Sequence, residues 1–190
     1  MKLAVIAIIS LFIFIGIAFI IYLLVRKKPI DKSTIVTNSN DIPKLREIWG
    51  FYKNGNKCLS VVGMGEINDN IVVAECDGSN KQIWKLTKDM TLVHYGDNLC
   101  LDPAGYDAAY GVNIGLFTCD AGAAAGGDQR WYVQFNPKDK SKIKFINQLS
   151  NDCMDITTTV GNAPSNVMIG DCIDYASGNW SFYPSPKNLV

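Results

Sequence analysis

The sequence predicts an all-β domain built from three repeats, and two observations support this prediction. A pattern of cysteine, a second cysteine 18 or 19 residues later, and then tryptophan occurs three times. The three sets are Cys58, Cys76 and Trp84; Cys100, Cys119 and Trp131; and Cys153, Cys172 and Trp180. Short apolar segments separated by turn residues surround these anchors, and no window has the sustained period of an amphipathic helix. Because a fixed period of roughly 40–50 residues is typical of repeat architectures, we expect a compact domain with approximate three-fold symmetry.

The predicted elements follow the same order in each repeat. A short apolar strand comes first, followed by a Gly/Asn/Asp turn and a strand that holds the first cysteine. After a Gly/Asn loop, a third strand ends in Cys-Asp or Cys-Ile, and a last strand carries the tryptophan. The segments are WGFYKNGNKCLSV and VVAECDGSNKQIWKL, LVHYGDNLCLDPAG and IGLFTCDAGAAAGGDQRWYV, and IKFINQLSNDCMDITT and VMIGDCIDYASGNWSFY.

The motifs around these anchors resemble the ricin B-type lectin repeat. They are Cys-Leu-Asp at 100–102, Cys-Met-Asp at 153–155, and Gln-x-Trp at 82–84 and 129–131. The resemblance covers about residues 45–186 and implies a β-trefoil of three four-stranded units that binds sugars. The third repeat departs from the motif with Gly178-Asn179-Trp180, and the first has Ser60 where an acid would stand. The motifs therefore support the fold more strongly than they support sugar binding.

The cysteines are predicted to form one disulfide within each repeat. Six cysteines allow fifteen pairings, and the repeat selects one, because each copy carries its own pair. The predicted bridges are Cys58–Cys76, Cys100–Cys119 and Cys153–Cys172. The long gaps within the pairs lack the close spacing of structural zinc sites, so no metal is expected.

The three tryptophans that recur in the repeats are expected to be core residues. Trp84, Trp131 and Trp180 occupy the same repeat position, which suits packing near the pseudo-three-fold axis. Gln82 and Gln129 are expected to tie neighbouring backbone groups together through side-chain hydrogen bonds.

The N-terminal segment predicts a membrane anchor. Residues 3–25 hold no charge and are almost wholly apolar. A helix of this length spans about 34 Å, which is enough for a hydrocarbon core of about 30 Å with some tilt. A cleaved signal peptide is the rival reading, but residues 22–26 offer no small-x-small cleavage site. We therefore predict an anchor at 1–25, a polar stalk at 26–44 and a β-trefoil head at 45–190.

Two indications of membrane orientation conflict. Positive charge is denser after the apolar run, in Arg26, Lys27, Lys28 and Lys32, than before it, which would leave the head in the cytosol. Three cysteine pairs in phase instead imply an oxidising compartment, and this is the stronger argument because such pairs are less expected by chance. We predict a single-pass membrane protein whose head lies outside the cytosol or on a virion surface.

A viral setting stays open as an exception to the usual link between disulfides and secretion. Large DNA viruses of the poxvirus type display N-terminally anchored, disulfide-bonded heads that are oxidised on the cytosolic side of their membranes. The anchor, the inverted charge bias and the lack of well-placed glycosylation sites in this chain are similar to that class. Only Asn179-Trp180-Ser181 forms an acceptor sequence, and its tryptophan belongs to the predicted core.

Composition and motifs favour a binding protein over an enzyme. The formal net charge is zero and the basic residues form no stripe with interleaved aromatics, so nucleic acid is not expected as a partner. The sole histidine, His94, lies in the strand LVHYG, where a packed or half-exposed strand residue is expected. No nucleophile elbow and no phosphate-binding glycine motif occur. We predict no enzymatic activity and no cofactor.

The spacing of the cysteines suggests where a sugar would bind. If the two cysteine strands of each repeat pair antiparallel with the bridged cysteines opposite each other, the residues two positions inward form a second facing pair. This pair is Ser60 and Ala74 in the first repeat, Asp155 and Gly170 in the third, and Asp102 and Phe117 in the second. Only the second repeat combines a carboxylate, which can accept two adjacent hydroxyls, with an aromatic face that can cover a sugar ring.

The resemblance adds two residues to this site and leaves two functions open. In the family, polar residues just ahead of the tryptophan take part in recognition, which implies Asp128 and Gln129 here. Asp155 marks a weaker second site, and the segment 121–127 lies where it could reshape the rim. The first function is a membrane-tethered lectin that recognises glycans of glycoproteins or glycolipids, with the lipid bilayer contacted through residues 3–25. The alternative is a structural or protein-binding trefoil with degenerate sugar sites and a protein partner at the membrane.

Overall fold

The computed structural model describes residues 47–105, 108–120, 127–157, 164–173 and 178–186. These residues form twelve β-strands and one turn of 3-10 helix, and they contain no α-helix. The predicted anchor at 1–25 and stalk at 26–44 lie outside the described residues. Within the described part, no helix is both long and apolar enough to cross a membrane. The prediction of an all-β head is confirmed.

The twelve strands are short and distribute evenly, four to each repeat. The first repeat holds β1 (Trp49–Asn54), β2 (Lys57–Val61), β3 (Ile71–Glu75), the 3-10 turn (Asn80–Gln82) and β4 (Trp84–Leu86). The second holds β5 (Leu92–His94), β6 (Cys100–Pro103), β7 (Ile114–Phe117) and β8 (Trp131–Phe135). The third holds β9 (Ile143–Asn147), β10 (Cys153–Ile156), β11 (Ser165–Gly170) and β12 (Ser181–Pro184).

Strand pairing repeats with the same period. The second and third strands of each repeat form an antiparallel hairpin, giving the pairs β2–β3, β6–β7 and β10–β11. The last strand of each repeat pairs with the first strand of the next, giving β4–β5, β8–β9 and, from the third repeat back to the first, β12–β1. These pairings close a ring of three repeats. This is the β-trefoil arrangement that the family resemblance implied.

The cysteines form one disulfide within each repeat: Cys58–Cys76, Cys100–Cys119 and Cys153–Cys172. The third strand of each repeat, however, ends before its cysteine rather than at it. Strand β3 ends one residue before Cys76, and β7 and β11 each end two residues before theirs. Each bridge therefore ties the loop that leaves the hairpin back to the start of the preceding strand.

The repeat tryptophans lie at the centre of the core, as their spacing predicted. Trp84, Trp131 and Trp180 all have 0% exposed surface. Each indole N–H donates a hydrogen bond to the backbone carbonyl one residue after the first cysteine of its own repeat. The three donor–acceptor distances are 3.0 Å to Leu59, 3.4 Å to Leu101 and 3.3 Å to Met154. This contact satisfies the only polar atom of a side chain that is otherwise suited to burial.

Three asparagine side chains join the three hairpins in a closed ring of hydrogen bonds. The Nδ2 group of Asn70 donates to Oδ1 of Asn166 at 2.6 Å, Asn166 donates to Asn113 at 2.6 Å, and Asn113 donates to Asn70 at 2.7 Å. Each asparagine stands six residues before the second cysteine of its repeat. Because each amide both donates and accepts, the ring fixes the hairpins relative to one another.

Candidate functional site

A cleft of about 300 Å³ opens in the second repeat, beside the β6–β7 hairpin. Polar side chains and small residues dominate its walls. They are Asn68, Asp102, Ala104, Gly105, Asn113, Gly115, Leu116, Phe117, Asp120 and Asp128. The cleft therefore brings together three of the four residues that the sequence predicted for a sugar site in this repeat.

The predicted strand register is wrong by two residues in all three hairpins, because Ser60 pairs with Val72 and Asp155 with Met168. The second repeat shows the same shift. Cys100 pairs with Phe117, and Asp102 pairs with Gly115 rather than with Phe117. The physical reason is that Cys119 lies beyond the end of β7, so the disulfide closes from the loop and not across the strand ladder. Since side chains alternate between faces with a period of two, a shift of two residues leaves Asp102 and Phe117 on the same face. They are diagonal neighbours instead of a facing pair.

Gly115 lies directly opposite Asp102 and lines the cleft. The backbone of the first repeat approaches it closely, since a Cβ atom added to Gly115 would lie 3.2 Å from the carbonyl oxygen of Asp69. Phe117 stands at the end of β7 with 40% of its surface exposed. Its ring is available at the rim, while the Asp102 carboxylate is half-buried beside it.

Gln129 holds Asp102 in position but does not line the cleft. It is 2% exposed, and its Nε2 group donates both to Oδ2 of Asp102 and, at 3.0 Å, to the carbonyl of Thr118. Its Oε1 atom accepts the backbone N–H of Asp120 at 2.9 Å. With both side-chain hydrogens and the oxygen engaged, Gln129 has little capacity left for a ligand. The expectation that Gln129 ties backbone groups agrees with these contacts. Its role in binding sugar stays a prediction.

Gln82 shows that this role belongs to the repeat itself. In the first repeat its Nε2 group donates to the carbonyl of Glu75 at 2.7 Å, and its Oε1 accepts the backbone N–H of Asp77 at 3.0 Å. The glutamine of each Gln-x-Trp motif therefore secures the loop after the third strand. In the second repeat alone, the same side chain also reaches an acid.

The carboxylates of the cleft influence one another. Burial raises the pKa of Asp102 to about 6; the hydrogen bond from Gln129 opposes this shift, and the charges of Asp128 and Asp120 add to it. Asp128 is 3% exposed, and burial raises the pKa of this carboxyl as well. Its Oδ1 accepts the backbone N–H of Gln129 at 3.0 Å. At neutral pH, Asp102 is ionised and sits among like charges.

The opposite wall comes partly from the first repeat, which sequence reasoning did not anticipate. We call residues 62–69 the first-repeat loop. Within it, the Oδ2 atom of Asp69 accepts the backbone N–H groups of Met64, Gly65 and Glu66 at 3.0, 2.9 and 2.9 Å. The hydrogen bond from Glu66 is the largest of several causes that lower the pKa of Asp69. This carboxylate therefore organises the loop as an ionised acceptor.

The first-repeat loop is fixed to the second hairpin by backbone hydrogen bonds. The N–H of Asn68 donates to the carbonyl of Leu116 at 2.8 Å, and the N–H of Leu116 donates to the carbonyl of Asp69 at 2.9 Å. These bonds place the Asn68 side chain at the cleft, where Asn113 from the asparagine ring also lies. The one sequence signal for this wall was the asparagine six residues before each second cysteine, which marks Asn113 but not Asn68.

The other two repeats lack this combination of side chains. In the first repeat, Ser60 and Ala74 stand where Asp102 and Phe117 stand in the second. In the third, Asp155 packs over Gly170, since a Cβ atom added to Gly170 would lie 2.6 Å from the Cβ atom of Asp155. The acid thus covers the place of the aromatic ring. The predicted weaker site at Asp155 stays a prediction without an aromatic platform.

The sole histidine lies in the first strand of the second repeat. His94 is buried in β5, where its ring nitrogens contact the Asp97 carboxylate and, at 3.1 Å, the carbonyl of Asn80. It is a packed strand residue, as the sequence predicted. Across the described residues, no group of three or more His, Cys, Asp or Glu side chains is arranged to hold a metal ion.

Comparison with known proteins defines the class to which this fold and cleft belong. Residues 49–180 match the family model of the ricin-type beta-trefoil lectin domain. The chain therefore belongs to the ricin-type β-trefoil lectin family. A comparison with curated proteins gives no significant sequence match.

Solved structures share the fold at low sequence identity. The designed three-fold symmetric protein ThreeFoil is 18% identical with a TM-score of 0.62, over 70% of this chain and 96% of that one. The Macrolepiota procera ricin B-like lectin, solved in complex with lactose, is 12% identical with a TM-score of 0.61, over 73% and 96%. The hemolytic lectin CEL-III is 20% identical with a TM-score of 0.59 over 73% of this chain, which spans only 30% of CEL-III. These similarities show the β-trefoil fold.

Proposed function

We propose that the head is a carbohydrate-binding module whose sugar site is the cleft of the second repeat. The exposed Phe117 ring beside the Asp102 carboxylate is the observation that carries this proposal. Membership in the lectin family supports it, as does the lactose complex of the Macrolepiota procera lectin. No catalytic role is included in the proposal.

The cleft offers a sugar the two kinds of contact that a pyranose ring needs. The ionised Asp102 accepts hydrogen bonds from two adjacent hydroxyl groups, and such charge-assisted bonds are stronger than neutral ones. The ring of Phe117 covers the apolar C–H face of the same sugar. The amide of Asn68, which also lines the cleft, supplies a further donor and acceptor, whereas the Asn113 amide is engaged in the asparagine ring. Gln129 keeps Asp102 oriented, so little freedom is lost on binding.

A glycan array probed with the purified full-length chain in mild detergent tests the proposed function. We expect binding to a restricted set of glycans, with competition by the free sugar at their ends. A chain with the three disulfides intact that binds no glycan on the array would favour the structural or protein-binding trefoil. That second candidate is favoured by the first and third repeats, which have kept the scaffold without an acid–aromatic pair.

Glycan binding is expected to weaken as the pH falls from 7.5 to 5. Because the pKa of Asp102 is about 6, the ionised fraction of this carboxylate falls roughly tenfold over this range. The affinity for the glycan should fall by a similar factor. The other titratable groups that face it in the cleft are Asp120 and Asp128. Titration calorimetry at several pH values measures the effect, with circular dichroism to verify that the fold persists at pH 5. An affinity that stays flat over this range would show that the ionised carboxylate is not the acceptor.

We further propose that residues 1–25 anchor the head in a membrane, with residues 26–44 as a stalk. The uninterrupted apolar run supports this proposal, and the three disulfides support a head that is oxidised outside the cytosol or on a virion surface. A protein partner at the membrane belongs to the alternative, a structural or protein-binding trefoil. Protease protection on intact membranes tests the topology: the head should be digested only from the non-cytosolic side. A reduced, cytosol-facing head in uninfected cells would overturn this placement.

A further inference from the structure

The proposed sugar site carries an uneven distribution of charge. Three carboxylates, those of Asp102, Asp120 and Asp128, line the cleft, and the remaining polar lining is the neutral pair Asn68 and Asn113. Among the described residues, no Lys, Arg or His side chain lines it.

We propose that this cleft selects its ligand by charge: it accepts sugars that are neutral or carry a protonated amine, and it rejects sialic acids, uronic acids and sulfated sugars. This inference rests on the proposed function, because it assigns a ligand class to the same cleft. A sugar carboxylate or sulfate placed over Phe117 would stand near three like charges with no basic side chain to offset them. An amine at the same place would be attracted to all three.

The three carboxylates line the same cleft, so their charges act on a ligand together. Asp120 and Asp128 both disfavour the ionised form of Asp102. A ligand anion bound beside Asp102 would meet the same two charges in addition to that of Asp102 itself. Charges within a Debye length of about 8 Å at physiological salt are incompletely screened, and a partly enclosed cleft screens them less.

Monosaccharides that share ring stereochemistry and differ in charge provide the test. The purified full-length chain is titrated at pH 7.5 with galactose, galactosamine and galacturonic acid, and with glucose, glucosamine and glucuronic acid. In the series that binds, we expect the uronic acid to bind about tenfold or more weakly than the neutral sugar, and the amino sugar at least as tightly. The differences should shrink in 0.5 M salt, because screening weakens charge effects.

Two variants separate the charge of the cleft from the charge of the whole protein. Asp120 is exposed and contributes its backbone N–H, not its side chain, to the hydrogen bond with Gln129. Asp120→Asn should therefore narrow the affinity ratio between the neutral sugar and the uronic acid by a factor of about two to three. Asp89→Asn removes the same charge from an exposed turn that does not line the cleft, and it should leave that ratio unchanged.

The results of these titrations separate charge selection by the cleft from sugar binding as such. If no sugar in either series binds, both the proposed function and the charge selection fail. If galacturonic or glucuronic acid binds as tightly as its neutral counterpart, the cleft is a sugar site but its carboxylates do not select by charge. An affinity ratio that responds equally to Asp120→Asn and Asp89→Asn would also overturn the inference, since the effect would then come from net charge alone.

Discussion

Replacing Asp102 by asparagine is expected to weaken glycan binding by roughly 30–100-fold, which is about 2–3 kcal/mol and corresponds to the loss of one charge-assisted hydrogen bond. An amide keeps one acceptor for the Gln129 side chain but turns the other position into a donor, so two sugar hydroxyls can no longer be accepted together. Phe117→Ala should have a comparable effect, because it removes the ring that covers the apolar face of the sugar. Titration calorimetry against the best array ligand measures both.

The thermal stability of the Asp102→Asn variant shows whether weaker glycan binding comes from a missing contact or from unfolding. Because the pKa of Asp102 is raised in the folded protein to about 6, the stability that this group contributes is full below about pH 4 and is lost as the pH rises through 6. At pH 7.5 the ionised carboxylate therefore destabilises the folded protein. Asp102→Asn should leave the melting temperature unchanged or slightly higher. A lower melting temperature at pH 7.5 would contradict this account of Asp102.

The third repeat supplies the matched control for the binding variants. Asp155 occupies the position equivalent to Asp102, but its side chain packs over Gly170 where an aromatic would be needed. Asp155→Asn should leave glycan affinity unchanged. Loss of binding in this variant, with Asp102→Asn still active, would move the site from the second repeat to the third.

Trp131→Ala is expected to lower the free energy of unfolding by about 3–5 kcal/mol, the usual effect of truncating a buried tryptophan to alanine. Trp131 is fully buried, and its N–H satisfies the carbonyl of Leu101, which would lose that partner as well. Since domains of this kind are stable by only about 5–15 kcal/mol, a large fraction of the stability would be lost. Denaturant unfolding under non-reducing conditions, with the disulfides intact, measures the change.

Trp49 provides a control of the same size outside the repeat core. It is partly exposed, packs edge-to-face against Tyr95, and has the ammonium group of Lys85 over its ring at 4.6 Å. Trp49→Ala should cost clearly less than Trp131→Ala. If both variants lowered the free energy of unfolding equally, burial of the repeat tryptophans would not account for the stability of the fold.

The fold was predictable from the sequence because its main determinants recur in phase. The cysteine and tryptophan positions define the three repeats, and the Gly, Asn and Asp turns divide each repeat into four strands. The strand register was not predictable, because it depends on where β7 ends relative to Cys119. The sequence carries no local mark of that end, and a disulfide closed from a loop leaves the same spacing as one closed across the ladder.

The residues that line the candidate cleft were only partly predictable from the sequence. Asp102 and Phe117 were found from spacing because a two-residue error of register preserves the face of a strand. Asn68 was missed because it reaches the cleft through contacts between the first and second repeats, 48 residues before Leu116 whose carbonyl it contacts. The family resemblance places Gln129 among the sugar-binding residues. In the structure its buried amide donates a hydrogen bond to the Asp102 carboxylate.

Amide chemical-shift mapping of the isotopically labelled full-length chain, titrated with its best neutral glycan, tests most directly whether the second repeat is a sugar site. We predict shifts concentrated at Gly115 to Asp120, at Asp102 and at Asn68, with the equivalent positions around Ala74 and Gly170 unaffected. Shifts centred on the first or third repeat, or spread equally over all three, would contradict a single site formed by Asp102 and Phe117.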